Sequence, residues 1–229
     1  MGLFNKLDHI ALILDGNKRW AKNNNQTNIH GYNKGFENIR NLVKYSLSLK
    51  LRYLTIFALS SENFNRTSIN IIYKIIYENF EKMFDELIKE NDVKIKIFGS
   101  RENLPTKIIK IFEKIEKLSS KNKSINLNIA FNYGFKDEIK NILKNINEKN
   151  IKINYKNDKV LNRLFYLGSI PDPDILIRTG GYQRLSNFIM YNLTYTELFF
   201  TETLWPDFSE KEYLNIIKKF FKIQRKYGL

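Results

Sequence analysis

The chain has 229 residues, 43% of them hydrophobic, and a formal net charge of +14, which is enough for one domain over residues 1–229 with a sizeable core. It has no cysteine and two histidines, which excludes disulfides and thiolate metal sites and disfavours a histidine metal site. The apolar runs are too short to cross a bilayer and no signal peptide is evident, so we expect a soluble, cytoplasmic protein.

The first chemical signal is an apolar run over residues 9–14 that ends at Asp15. Gly16 lets the backbone turn and come close to a ligand, and Lys18 and Arg19 supply positive charge. A carboxylate beside cations that bind phosphate is explained if a divalent metal bridges Asp15 to the phosphate oxygens. The alternative is a polar turn in which Asp15 caps the following helix.

A helix and a second strand follow this cluster. Apolar residues recur at helical spacing over residues 32–50, and residues 53–58 form an apolar run of strand length. This succession predicts right-handed crossovers and a largely parallel sheet. The second strand also ends in a polar cluster, residues 60–66. Ligands bind outside the carboxyl ends of parallel strands, so both clusters are predicted to face one crevice; the alternative is a loop that caps the next helix.

The middle of the chain predicts further helices and strands. Residues 69–90 contain no proline or glycine and carry one broad apolar face, which is typical of a core helix or of the wall of a hydrophobic cavity. Strands are predicted at residues 94–98 and 125–130, with a helix beginning near Pro105 between them. Residues 147–157 are rich in Asn and Lys and predict a mobile surface loop.

A third polar cluster follows a short apolar strand at residues 175–177. Arg178, a glycine pair, Arg184 and Ser186 come next in the sequence. Two arginines, a hydroxyl and exposed glycine backbone suit a second diphosphate, because guanidinium binds phosphate oxygens in bidentate fashion. The alternative is a surface loop with two solvated arginines. Further on, Glu197 stands alone among aromatic residues, and since a buried carboxylate without a partner is costly, we expect it to face an arginine or a metal.

These spaced motifs resemble those of the cis-prenyltransferases, the undecaprenyl diphosphate synthase family, over nearly the whole chain. The matching motifs are Asp15-Gly16-Asn17-Lys18-Arg19-Trp20, Ser60-Ser61-Glu62-Asn63, Arg178-Thr179-Gly180-Gly181, Arg184-x-Ser186, Glu197 and Trp205-Pro206-Asp207. The resemblance implies an α/β fold with a parallel-rich central sheet of about six strands, flanked by helices and enclosing a hydrophobic tunnel, in a protein that works as a homodimer.

The resemblance also implies an activity, namely Mg²⁺-dependent condensation of isopentenyl diphosphate onto an allylic diphosphate such as farnesyl diphosphate. The expected product is undecaprenyl diphosphate, a precursor of a lipid carrier, and its release suggests peripheral membrane contact. Asp15 and Glu197 resemble the family's magnesium ligands, and Asp15 and Asn63 are the candidate catalytic residues. Because Asn is a poor base, Asn63 is expected to orient a diphosphate oxygen or a water that takes the proton. The substrate-binding candidates are Gly16, Asn17, Lys18, Arg19, Trp20, Asn28, Tyr32, Ser60, Ser61, Glu62, Phe64, Arg66, Arg178, Arg184, Leu185 and Ser186.

Several positions depart from the family pattern. Asn28 stands where an arginine often contacts the diphosphate, Tyr32 replaces a usual histidine, and Lys18 replaces a usual glycine. Tyr182 and Gln183 replace a frequent Glu and His before the second arginine. The first two changes remove charge or a protonatable ring near the first phosphate, so weaker allylic binding is one expectation.

Two other interpretations stay open at this point. The first is a non-catalytic or partner-dependent subunit of a cis-prenyltransferase complex, which the intact Asp15 motif disfavours. The second is a basic protein that binds nucleic acid or an anionic membrane without chemistry. The 38 Lys and Arg residues are spread along the whole chain rather than gathered in a stripe, so we expect no nucleic-acid partner.

Overall fold

The computed structural model describes residues 6–64, 69–154 and 156–225. Its centre is a six-stranded sheet with the strand order β3-β4-β2-β1-β5-β6, in which every described pair of neighbouring strands is parallel. The strands are β1 (His9–Ile13), β2 (Tyr53–Ser60), β3 (Val93–Phe98), β4 (Ile125–Tyr133), β5 (Ile175–Arg178) and β6 (Glu197–Phe200). The predicted parallel sheet is therefore confirmed.

Helices flank this sheet. They are α1 (Asn17–Asn23), α2 (Asn28–Ser48), α3 (Ile69–Ile75), α4 (Glu81–Asn91), α5 (Thr106–Ser119), α6 (Phe135–Glu148), α7 (Asp158–Asn162) and α8 (Glu210–Phe220). The short helix α7 is not among those that the sequence pattern predicts. Among the described residues, no helix has both the length and the apolar character that crossing a bilayer requires.

Two helical predictions need correction. The helix predicted over residues 69–90 is divided by a π-helical turn, Ile76–Phe80, between α3 and α4, because one wider turn barely disturbs a 3.6-residue pattern. Helix α2 begins at Asn28, earlier than its apolar pattern suggests, since the Thr27 hydroxyl accepts a hydrogen bond from the His30 N–H at 3.3 Å and caps it.

Strands β1, β4 and β5 are buried on both faces, as expected for parallel strands covered by helices. Successive side chains of β1 alternate between two apolar clusters: Ile10 and Leu12 belong to the larger one, and Ala11 and Ile13 to the smaller one. This continuous burial explains why the β1 sequence is a run of apolar residues rather than an alternating pattern.

The strand order sets the position of the polar clusters. Strand β1 lies between β2 and β5, and Ile13 is in register with Phe57 and Arg178. The chain segments after β1, β2 and β5 therefore leave the sheet side by side at its carboxyl edge. Of the residues predicted in these segments, Arg66 lies outside the described part of the chain.

A buried histidine in β1 gives the fold a pH dependence. The His9 ring lies 2.7 Å from the Pro171 carbonyl oxygen and 2.7 Å from the Thr55 hydroxyl. Burial lowers the pKa of His9 to about 4, whereas the unfolded chain takes up this proton near 6.5. The unfolded state then binds more protons between these values, so the stabilisation is complete above about pH 6.5 and is lost as pH falls through 4.

We expect the free energy of unfolding to fall by up to about 1.4 kcal/mol per pH unit below pH 6.5 through His9 alone. An NMR titration of the two histidine ring signals checks this directly, and a His30→Gln variant leaves one ring signal and so assigns it. A His9 signal that titrates above about pH 6 would contradict the assigned burial.

Candidate active site

Asp15, directly after β1, is held by both its backbone and its carboxylate. Its N–H donates to the Thr179 hydroxyl at 2.9 Å, and its carbonyl accepts from that hydroxyl at 2.8 Å and from the Trp205 N–H at 3.0 Å. One carboxylate oxygen lies 3.0 Å from Nη2 of Arg19 and the other 2.9 Å from Nη2 of Arg178. The carboxylate is thus clamped between two guanidinium groups at the carboxyl edge.

A close approach of two chain segments fixes the turn after Asp15. Gly16 has a φ of 127°, and a Cβ on it would lie 2.9 Å from Cβ of Leu204, so the position favours glycine. The Gly16 carbonyl accepts the Trp20 N–H at 2.8 Å and begins α1. Lys18 is exposed on this helix, and Nη1 of Arg19 donates to the Gly180 carbonyl at 2.6 Å.

Arg178 is the buried cation of the site, with 4% of its side chain exposed. Its Nη1 donates to the Ser186 hydroxyl at 2.7 Å and to the Arg184 carbonyl, while its Nε has no hydrogen-bond partner among the described residues. The tight loop that predicted a second phosphate site is therefore built around this guanidinium, and not around two solvated arginines.

Tyr182, which departs from the family pattern, makes cation–π contacts with three arginines. Its ring centroid lies 4.1 Å from the guanidinium carbon of Arg184, 4.7 Å from that of Arg19 and 5.7 Å from that of Arg178. An aromatic face attracts guanidinium without neutralising its charge. Tyr182 thus lies against three arginines, two of which, Arg19 and Arg178, also pair with Asp15.

Two polar cavities meet at the carboxyl edge. The first polar cavity, of about 180 Å³, contains Lys18 and Arg19; the second polar cavity, of about 590 Å³, contains Arg178, and both are lined by Asp15 and Asn63. The predicted residues that line one or both are Asp15, Gly16, Asn17, Lys18, Arg19, Tyr32, Ser60, Glu62, Asn63, Arg178, Arg184 and Ser186. The prediction that the polar clusters face one crevice thus agrees with where the structure places these side chains.

An apolar cavity of about 90 Å³ adjoins the first polar cavity, and the two share Leu14, Asn17, Tyr32, Ala58 and Ile72. The rest of its wall is Gly35, Phe36, Ile39, Ile56, Ile75, Ile76, Phe84, Ile129, Phe131 and Trp205. The helical segment predicted as core or cavity wall serves as both. A ligand with a charged head in the first polar cavity would place an apolar tail here.

Several predicted binding residues lie elsewhere. Trp20 is 7% exposed, and its ring stacks on His30 at 5.9 Å between centroids. Asn28 is an exposed residue at the start of α2. Phe64 packs against the larger apolar cluster, and Leu185 against the smaller one. The Ser61 hydroxyl donates to Asp137 at 2.6 Å. None of these five side chains lines either polar cavity in the described part of the chain.

Glu197 lies at the amino ends of the strands, whereas Asp15 lies at their carboxyl ends. It is the first residue of β6 and pairs with Ile175, three residues and roughly 10 Å before the level of Arg178. Its carboxylate is half-buried and lies 3.8 Å from Nε of Arg225. The expected cation partner is thus an arginine in this chain, the expected burial is only partial, and the two proposed magnesium ligands do not meet within one chain.

The residues present suit a magnesium ion that arrives with a diphosphate. Within the described part of the chain, no three His, Asp or Glu side chains form a metal cluster. Protein-bound Mg²⁺ is commonly held by one or two carboxylates together with substrate phosphates and water, which the Asp15 carboxylate alone satisfies. The Asn17 Oδ1 atom, which is buried and has no hydrogen-bond partner among the residues that the structure describes, is a further oxygen beside the first polar cavity.

Fold and site together define an α/β protein whose carboxyl edge combines two cation-lined cavities with an adjoining apolar cavity. A family model described as putative undecaprenyl diphosphate synthase matches residues 13–228. The isoprenyl transferase of Aquifex pyrophilus is 36% identical over 225 residues, covering 96% of this chain and 95% of that protein. The isoprenyl transferase of Thermotoga maritima is 37% identical over 228 residues, covering 96% of each chain.

A solved structure agrees with these sequence matches. Lavandulyl diphosphate synthase from Lavandula x intermedia, in complex with dimethylallyl diphosphate, superposes with a TM-score of 0.89 at 28% identity, covering 97% of this chain and 98% of that one. The chain belongs to the cis-prenyltransferase family of undecaprenyl diphosphate synthases. It is a prenyltransferase, and the resemblance inferred from the motifs is confirmed.

Gly35 of α2 packs closely against Asn17, where the apolar cavity and the first polar cavity join, and a substitution there tests this packing. A Cβ on Gly35 would lie 2.0 Å from Asn17 Oδ1 and 2.9 Å from Cδ1 of Trp205. Glycine to alanine inside a helix normally stabilises by about 0.5–1 kcal/mol, but here the methyl group has no room. We expect Gly35→Ala to lower the free energy of unfolding by about 1–3 kcal/mol in urea titrations. Glu37→Ala, at an exposed position of the same helix, is the control, and a Gly35→Ala protein as stable as this control would contradict the packing.

Proposed function

We propose that this chain is a Mg²⁺-dependent cis-polyprenyl diphosphate synthase that condenses isopentenyl diphosphate onto an allylic diphosphate such as farnesyl diphosphate. One observation carries the proposal: two cation-lined cavities meet at Asp15 and Asn63, and one of them adjoins an apolar cavity. A reaction that joins two diphosphate-bearing molecules and stores a growing hydrocarbon needs these three compartments in contact.

The shape of the site supports a particular placement of the two substrates. The allylic diphosphate would bind among Asn17, Lys18 and Arg19 in the first polar cavity, because this cavity shares five lining residues with the apolar one. Isopentenyl diphosphate would bind to Arg178, Arg184 and Ser186 in the second polar cavity. The hydrocarbon tail then extends away from the second substrate.

The chemistry follows from this arrangement. The bond between the allylic carbon and its diphosphate oxygen breaks, and inorganic diphosphate leaves with the electron pair. The alkene of isopentenyl diphosphate forms the new carbon–carbon bond, and a proton is lost to leave a new cis double bond. Preorganised cations stabilise the departing anion. Asn63, which lines both polar cavities, would orient the diphosphate oxygen or water that accepts the proton.

Magnesium would be held by Asp15 and the phosphate oxygens, where it adds positive charge to the leaving diphosphate. Glu197 would bind this magnesium ion only if a second copy of the chain brought its own Glu197 to the carboxyl edge. We therefore propose a homodimer in which Glu197 of one copy serves as a magnesium ligand at the site of the other. The exposed face of the edge strand β6 supports such a dimer, because Leu198 and Phe200 are 45% and 36% exposed and apolar strand edges are normally covered.

We propose undecaprenyl diphosphate as the product and a cytoplasmic location with peripheral membrane contact during product release. The chain's net charge of +14 supports that contact, since basic surfaces are attracted to anionic lipid. The lack of cysteine suits a reducing compartment.

Incubating the purified chain alone with Mg²⁺, farnesyl diphosphate and labelled isopentenyl diphosphate tests the activity. We expect a ladder of products ending near eleven isoprene units, and an Asp15→Ala variant with a loss of rate of at least about 100-fold. Asp158→Ala, which removes an exposed carboxylate from α7, is the matched control and is expected to retain the wild-type rate. Chromatography of the extracted lipids measures product length.

The absence of any prenyl product from a folded wild-type chain would contradict a self-sufficient enzyme. Activity that appears only when a related chain is added would instead identify a partner-dependent subunit. Binding to DNA or liposomes that depends steeply on salt, but not on Mg²⁺ or diphosphate, would favour a basic binding protein.

A further inference from the structure

Asn187 connects the two walls of the second polar cavity. Its Nδ2 donates to Oε1 of Glu62 at 2.7 Å, and its Oδ1 accepts the Lys136 N–H at 2.9 Å. Its backbone carbonyl accepts the Phe135 N–H at 2.8 Å. One residue therefore joins the loop of Ser186, the turn that carries Asn63, and the start of α6.

The start of α6 depends on this residue for its hydrogen bonds. The residue before the helix, Gly134, has no side chain to cap it, and the first N–H groups of a helix lack partners within it. Asn187 accepts two of these N–H groups, those of Phe135 and Lys136. The first two N–H groups of the helix are thereby anchored to the loop that follows Ser186, while the Gly134 carbonyl accepts the later N–H groups of Asp137 and Glu138.

The chain is closely packed around Gly134, where α6 meets the segments of Ser61 and Asn187. A Cβ on Gly134 would lie 2.6 Å from the Ser61 hydroxyl, 2.7 Å from Nδ2 of Asn187 and 2.9 Å from Oδ2 of Asp137. The Ser61 hydroxyl in turn donates to Asp137 at 2.6 Å. Polar groups from three segments thus converge on the space left by a missing methyl group.

The backbone of Asn187 suits its role. Its φ is 62° and that of Ser186 is 49°, and among non-glycine residues Asn adopts this left-handed conformation most readily. The two consecutive left-handed residues turn the chain just after Ser186, whose hydroxyl contacts Arg178. This turn directs the Asn187 amide across the cavity toward Glu62, next to Asn63.

We propose that Asn187 is a positioning residue that holds Asn63 in register with the cations Arg178 and Arg184. It does so through Glu62 on one side and through the Ser186 loop on the other. The inference rests on the proposed function, in which the two walls hold reacting groups whose placement governs the rate. Asn187 does not itself supply charge to a diphosphate, so its removal should affect the chemical step more than binding.

Asn187→Gly tests this, because glycine keeps the left-handed backbone and removes only the amide. Calorimetry with inorganic pyrophosphate gives both an affinity and the number of competent sites. We expect a dissociation constant within about threefold of wild type, and kcat per competent site lower by about tenfold or more. Asn150→Gly, which makes the same change at an exposed left-handed position, is the matched control. An unchanged kcat per site in an active wild-type background would overturn the proposal.

A second test, which exchanges the hydrogen-bond donor and acceptor between residues 187 and 62, remains available if the glycine variant fails to fold. Asn187→Asp faces the Glu62 carboxylate with a like charge, whereas Glu62→Gln in the same chain restores a donor–acceptor pair of reversed polarity. We expect the double variant to recover kcat by at least about fivefold over the product of the two single effects. Purely multiplicative effects would overturn the inference.

A signal independent of activity separates this inference from the proposed function. Pyrophosphate bound to the arginine wall should shift the Asn63 amide signal in NMR spectra of the wild-type chain. In Asn187→Gly that shift should be lost while pyrophosphate still binds; a shift that persists at wild-type size overturns the inference. A wild-type chain that makes no prenyl product but shows the Asn187-dependent shift would refute the enzyme proposal alone.

Discussion

The ion pair between Asp15 and Arg178 is the contact on which the site depends. Arg178 ends β5 and is almost completely buried, and its Nη2 lies 2.9 Å from the Asp15 carboxylate, just beyond the end of β1. A buried guanidinium that loses its counterion costs several kcal/mol. The parallel register of β1 and β5 supplies that counterion, and the Thr179 hydroxyl fixes the Asp15 backbone beside it. The sheet thus places a carboxylate and an arginine together where both cavities begin.

This contact has a consequence for ligand binding. Asp15 pairs with Arg19 and Arg178, so under the proposed function a diphosphate would compete with this carboxylate for the same guanidinium groups. A divalent cation held by Asp15, as proposed, would neutralise the carboxylate and leave the arginines free for phosphate oxygens. Tyr182 would support that exchange, because its ring lies near three guanidinium groups without neutralising their charges.

Much of the fold and the composition of the site could be predicted from the sequence. Apolar runs of strand length that end in polar clusters identify strands of a parallel sheet, and the strand ends gather Asp15, Asn63 and Arg178 at one edge. Register and burial could not be predicted. Glu197 reads as a companion of Asp15, but sequence spacing does not tell which end of a strand a residue occupies, and Glu197 begins β6. From the sequence, Trp20 is predicted to line the site, yet in the structure its ring stacks on His30.

Asn187 was not identified from the sequence because an asparagine in a loop carries no distinct signal of its own. The available hint was its position directly after the Arg184-x-Ser186 pattern, where a residue that tolerates a left-handed backbone is needed. Likewise, the helical pattern of residues 69–90 could not separate a core helix from a cavity wall, since both place apolar residues on one face. Only the packing of Ile72, Ile75 and Ile76 shows an opening there.

The affinity of the chain for inorganic pyrophosphate, measured calorimetrically with and without Mg²⁺ in wild type and in Asp15→Asn, tests the central claim most directly. If Asp15 holds the arginines until a cation replaces them, wild type binds pyrophosphate tightly only with Mg²⁺. Asp15→Asn then binds it at least about fivefold more tightly than wild type without Mg²⁺ and gains little from the ion. Equal wild-type affinity with and without Mg²⁺, or an Asp15→Asn protein that binds more weakly under both conditions, would contradict the account.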